Sequence, residues 1–144
     1  MALIAMEPLN ALARQNKESI ENRMTYRVQH GSGNQISLLG FGMMRLPNDQ
    51  DEVNSLVDYA IEHGVNYFDT APMYMRGRSE VLTGNALARH PRDKFFIATK
   101  MSNQRDNLWD FDEAVNMYRQ SFQRLRVDYI DYYLLHSIGG GGVD

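Results

Sequence analysis

The chain has 144 residues, 43% apolar and 23% charged, with a formal charge of −3, a composition expected of one soluble globular domain rather than a disordered segment. A mildly acidic chain without a Lys/Arg run gives no electrostatic reason to expect nucleic acid or an anionic membrane as partner. With no cysteine present, disulfides and cysteine-ligated metals are excluded within these residues, and the redox compartment is left open.

Taken in chain order, Met1–Glu7 is briefly apolar but lacks a basic start, and Glu7 and Pro8 interrupt it. It does not read as a signal peptide. No apolar run approaches the ~18 residues that span a membrane. Residues 1–24 are expected to be a poorly ordered leader, with Met24 an alternative start. Tyr26–His30, a Gly31–Asn34 cluster and Gln35–Ser37 read as a small hairpin, because Gly and Asn accept positive φ. Leu38–Gly42 is a candidate buried strand.

Val53, Leu56, Val57, Ala60 and Ile61 recur at helical spacing, with Asp49 and Glu52 as a capping pair and Gly64 as a stop. Val65–Asp69 is the next strand. A shorter helix over 79–89 turns Leu82, Ala86 and Leu87 inward, although Gly84 weakens it. Lys94–Lys100 is a strand. Phe111, Val115, Tyr118, Phe122 and Leu125 mark a helix capped by Asp110 and Glu113, and Asp128–His136 is the last strand. Residues 139–144 read as a flexible Gly-rich tail. A hairpin followed by βαβαβαβ predicts an α/β fold with right-handed crossovers and a parallel sheet. A dinucleotide-binding open sheet would need G-x-G-x-x-G after its first strand, and Gly40-Phe-Gly42-Met-Met-Arg45 lacks the third glycine.

A (β/α)8 barrel instead places its chemistry at the C-terminal ends of several strands. Asp69, Lys100 and His136 end three consecutive predicted strands, and Tyr74 follows Asp69 by five residues. Parity sets His136 with Leu134, Tyr132 and Ile130, and Lys100 with Ala98 and Phe96. A phenol is a weak acid, with an ordinary pKa of ~10; an adjacent ammonium favours its ionised form. A carboxylate keeps that ammonium charged, and an imidazole orients a carbonyl oxygen. Together they protonate the alkoxide formed when hydride reaches a carbonyl carbon. Each residue alone has another explanation: a helix cap for Asp69, packing for Tyr74, solvation for Lys100, an interior polar contact for His136. Their joint placement does not.

The segments Leu39-Gly-Phe-Gly-Met-Met-Arg-Leu-Pro47, Phe68-Asp-Thr-Ala-Pro-Met-Tyr74, Ser79-Glu80, Ala98-Thr-Lys100 and Asp128-Tyr-Ile-Asp-Tyr-Tyr-Leu-Leu-His136 resemble the signatures of the aldo/keto reductases, in the family's order and spacing. The resemblance covers roughly Met24 to His136. It implies the N-terminal half of a TIM barrel over 25–138, with an N-terminal β-hairpin plugging the barrel bottom, about four parallel strands and three helices. It implies reduction of an aldehyde or ketone by NADPH or NADH, with Tyr74 as general acid, Lys100 as its modulator, Asp69 as the partner of Lys100 and His136 as carbonyl orienter. Met43 and Met44 match positions beside the nicotinamide, with Asp69 also near the cofactor; core packing is the competing explanation for the two methionines. The segment Met75-Arg-Gly-Arg-Ser-Glu80 resembles relatives that append an iron–sulfur module. A non-catalytic cofactor- or partner-binding barrel is the alternative function. A half barrel leaves two strand edges open, so the chain alone is expected to be marginally folded and inactive, pairing with itself or with a complementary half. A cytoplasmic location is expected.

Overall fold

The computed structural model describes residues 24–102 and 110–136. The leader expected over residues 1–24 lies, apart from Met24, outside these residues, as does the Gly-rich tail expected over 139–144. The first unit is an antiparallel hairpin of β1 (Tyr26–Val28) and β2 (Gln35–Ser37), turned through Gly31 and Gly33 at positive φ. Then come β3 (Phe41–Gly42), α1 (Gln50–Glu62), β4 (Tyr67–Asp69), α2 (Ser79–Leu87), β5 (Phe96–Ser102), α3 (Phe111–Leu125) and β6 (Tyr132–His136). The four later strands form one parallel sheet in the order β3-β4-β5-β6, with a helix in each crossover. Register is fixed by Gly42 opposite Asp69, Asp69 opposite Ala98, Lys100 opposite Leu134 and Ser102 opposite His136.

Local chemistry accounts for the helix ends. The Asp49 carboxylate accepts the Glu52 N–H at 2.9 Å, and the Asp110 carboxylate accepts the N–H groups of Asp112 and Glu113, satisfying donors that have no partner within the helix. Helix α1 ends where Gly64 turns to φ +86° and its N–H reaches the Ile61 carbonyl. Met43, Val53, Val57, Ala60, Phe68, Leu82, Ala86, Leu87, Ile97 and Leu125 make the core between helices and sheet.

Three expectations need correction. Leu38 and Leu39 are exposed, because β3 pairs with β4 only at Phe41 and Gly42. Helix α3 buries Ser121 and Leu125 but leaves Phe111 79% and Tyr118 43% exposed, so the apolar stripe read from the sequence is rotated from the covered face. Gly84 is a contact rather than a weakness: a Cβ built there would meet the Arg124 carbonyl oxygen at 2.4 Å, and its absence lets α2 and α3 touch backbone to backbone.

The hairpin sits at the N-terminal ends of the strands. The Asn34 amide donates to the Tyr132 hydroxyl at 3.1 Å, and Asn66, just before β4, exchanges hydrogen bonds with Ser37 and Gln35. At the same end Arg92 binds the Phe95 and Tyr129 carbonyls and the Asp131 carboxylate, which also accepts the Ile97 N–H. Polar contacts at this end therefore hold the strands in place and leave the opposite end for chemistry.

Candidate active site

Parity decides which side chains reach the inner face of the sheet. Along β5, Thr99 points outward to Glu80 of α2, so Ala98, Lys100 and Ser102 point inward. On β6, Tyr133 packs edge-on against Tyr118 of α3, while Tyr132 lies on the inner side beside Tyr67 and Phe96. His136 shares the side of Tyr132.

The Lys100 ammonium donates to an Asp69 carboxylate oxygen at 2.5 Å and to the Thr70 carbonyl at 2.7 Å. Lys100 is buried, and Asp69 keeps part of its carboxylate exposed. The ammonium also lies 5.0 Å from the centroid of the Tyr74 ring. That ring meets the His136 imidazole edge to face, with centroids 5.6 Å apart. One cluster at the C-terminal ends of the strands thus holds all four residues singled out from the sequence. Burial and the charge of Lys100 hold the His136 imidazole below its ordinary pKa, with Asp69 opposing, so the ring is neutral near pH 7.

The loop carrying Tyr74 is braced. The Tyr74 N–H reaches the Ala71 carbonyl, and Met75, Arg76 and Gly77 follow with positive φ. The buried hydroxyls of Thr70 and Ser79 pair at 2.8 Å, and Ser79 donates to the Met43 carbonyl at 2.7 Å, tying the ends of β3 and β4 to the start of α2. Beneath them lies Glu80, wholly buried, accepting from Thr99 and Arg124 at 2.6 Å each. A cleft of about 680 Å³ runs on the outer side of the loop, between Pro72–Gly77 and α3; it includes none of the four clustered side chains.

The two methionines differ. Met43 is wholly enclosed in the core, so packing explains it and its side chain offers no surface to a cofactor. Met44 is 52% exposed, and a Cβ added to Gly42 would meet nothing within 4 Å. Open space therefore borders the ends of β3 and β4, with Met44 and the Asp69 carboxylate beside it. Sequence reading missed Thr70, Ser102 and Arg124. Ser102 was within reach of parity, two residues past Lys100, had β5 been extended beyond it. Among the described residues no group of three or more His, Asp or Glu could hold a metal ion, and no helix is long and apolar enough to cross a membrane.

A parallel β/α sheet with its polar cluster at the C-terminal strand ends is the architecture of part of a (β/α)8 barrel. The chain belongs to the aldo/keto reductase family: the sequence model of the Aldo/keto reductase family matches residues 38–140. It is 39% identical over 116 residues to the uncharacterized oxidoreductase YqkF of Bacillus subtilis, covering 76% of this chain and 37% of that protein. The holo form of the aldo-keto reductase AKR11C1 from Bacillus halodurans superposes with a TM-score of 0.67 at 33% identity, over 78% of this chain and 40% of that one. An aldo-keto reductase from Klebsiella pneumoniae in complex with NADPH gives 0.64 at 28% identity, over 78% and 40%. The chain spans about two fifths of the length of such relatives.

Proposed function

We propose that the cluster is the proton-donating side of a carbonyl reductase site that works with NADPH or NADH on a small aldehyde or ketone. Met44 and Asp69, at the ends of β3 and β4, would border the reduced nicotinamide, which would supply the hydride when bound. Tyr74 delivers a proton to the carbonyl oxygen as negative charge builds there. Lys100, 5.0 Å from the Tyr74 ring, faces that charge once the proton has left, and Asp69 keeps the lysine charged and aimed. His136 holds the oxygen by hydrogen bonding. The observation that carries this reading is the Asp69–Lys100 pair set against Tyr74. It favours catalysis over the alternative of a non-catalytic cofactor- or partner-binding barrel, which has no chemical need of that pair.

The 144 residues alone are proposed to be inactive, since they span about two fifths of the length of such relatives. Among the described residues β3 and β6 are the edges of the sheet, and Leu134 and Leu135 are exposed on β6, which supports pairing with a second copy or with a complementary half barrel. A cytoplasmic location belongs to the same reading. The test is NADPH oxidation with a panel of aldehydes, by this chain alone and by this chain joined to the C-terminal part of a relative. Turnover is expected only in the joined protein, falling at least ~100-fold in Tyr74→Phe. Unchanged turnover in that variant would remove the proposed acid and leave the non-catalytic reading.

A further inference from the structure

We propose that Ser102 is a positioning residue that fixes the tautomer of His136, leaving the ring proton on Nε2. Ser102 lies directly opposite His136 in the β5–β6 register, on the inner face. It is wholly buried, and its Oγ is 3.0 Å from His136 Nδ1. Its N–H points to the Met117 sulfur at 3.4 Å, which ties the end of β5 to α3 and holds the hydroxyl in place.

Two arrangements satisfy the 3.0 Å contact. Either the serine donates to a bare Nδ1, or a protonated Nδ1 donates to the serine. In the second, the serine hydrogen is buried with no acceptor among the described residues. A buried donor without a partner is rarer and costlier than an acceptor with a spare lone pair, so the serine donates. A neutral imidazole that accepts at Nδ1 carries its hydrogen on Nε2. Nε2 has no hydrogen-bond partner among the described residues and is left for the space beside Tyr74. Among the described residues the charged groups acting on the ring are Lys100 on β5, which favours the neutral imidazole, and Asp69 on β4, which opposes it, and the titratable Tyr74 phenol packs edge-on against it.

The catalytic use of this arrangement, donation from Nε2 to a carbonyl oxygen, rests on the carbonyl-reductase reading; the tautomer does not. The test is NMR on the 15N-labelled 144-residue chain, with the His136 signals assigned by their loss in His136→Asn. Long-range proton–nitrogen correlations at pH 8 are expected to show Nδ1 bare and Nε2 protonated. Removing the hydroxyl in Ser102→Ala is expected to move the His136 titration midpoint upward, because a donor to the neutral ring is lost. Ser102→Thr, which keeps the hydroxyl, is expected to follow the wild type in both readouts. A wild-type ring protonated on Nδ1 would overturn the proposal, as would a Ser102→Ala midpoint that stays or falls. If Ser102→Ala does not fold, the wild-type tautomer and the Ser102→Thr midpoint decide. Should the tautomer be as expected while Tyr74→Phe keeps full turnover, the carbonyl-reductase reading fails and this inference stands.

Discussion

The Lys100 ammonium and the Asp69 carboxylate meet at 2.5 Å across two neighbouring parallel strands. Lys100 is buried, and among the described residues its other hydrogen bond goes to the Thr70 carbonyl. Asp69→Asn keeps the shape and removes the counter-charge. It is expected to destabilise the fold by about 2 kcal/mol, the scale of a hydrogen bond to a charged group. Urea unfolding of the variant beside the wild type measures this, and an unchanged midpoint would mean that water already serves the ammonium.

Glu80 is wholly buried, with Arg124 on one oxygen and Thr99 on the other. Glu80→Gln can still accept from Thr99 but leaves the guanidinium without its charge partner. A loss of about 2 kcal/mol is expected, because a half-buried guanidinium is left without its charge partner. The double variant Glu80→Gln with Arg124→Met is expected to recover part of that loss, which a double-mutant cycle by denaturant unfolding would show.

Gly84 lies in the middle of α2, where alanine would ordinarily be favoured by about 1 kcal/mol. Here a Cβ would meet the Arg124 oxygen at 2.4 Å and two Leu125 backbone atoms at 2.7 Å. Backbone does not yield as a side chain does, so Gly84→Ala is expected to destabilise by about 2 kcal/mol or more. A thermal melt that rises in this variant would show that the helices separate without penalty.

Burial pushes the Tyr133 phenol up to about 12, with Glu80 and Tyr118 adding and Arg124 opposing. The folded chain therefore holds this proton more tightly than the unfolded chain does, and its contribution to stability fades as pH rises from 10 toward 12. The hydroxyl is buried without a partner among the described residues. Tyr133→Phe is expected to leave stability unchanged or raise it by about 1 kcal/mol. It is also expected to abolish the last tyrosinate step in an ultraviolet pH titration.

The His136 imidazole is the opposite case. Its pKa lies below the ordinary 6.5 when folded, so the unfolded chain binds the proton more readily. Its contribution is intact above pH 6.5 and lost as pH falls through the folded value. Denaturant midpoints are expected to drop on going from pH 7.5 to pH 5, with a smaller drop in His136→Asn. Equal slopes in the two proteins would place the titration elsewhere.

The features legible in the sequence were those with a local cause. The Asp49 and Asp110 caps, the Gly64 stop and the strand-end positions of Asp69 and His136 follow from spacing and residue type, and they appear where expected. Lys100, read as a strand's last residue, lies two residues before the end of β5. What eluded reading was set by tertiary contact. The covered face of α3 centres on Ser121 and Leu125 because α2 comes so close at Gly84, and no periodicity in α3 encodes that approach. Thr70 and Ser79 are small polar residues whose sequence neighbours give no hint of the hydroxyl pair they form, and Ser102, on the same parity as Lys100, lies beyond the strand end read from the sequence.

The strand registers have a geometric consequence. Asp69 is level with Ala98, Lys100 stands two residues further along and is level with Leu134, and His136 is two residues beyond that. At about 3.3 Å per residue, the backbone climbs a staircase with two steps of about 6.6 Å from carboxylate to ammonium to imidazole. The lysine's long stem reaches back down one step to the carboxylate, a span no shorter basic side chain would cover. Sliding β5 by a single residue would turn Lys100 to the outer face, so the stagger of the sheet itself decides whether these groups meet.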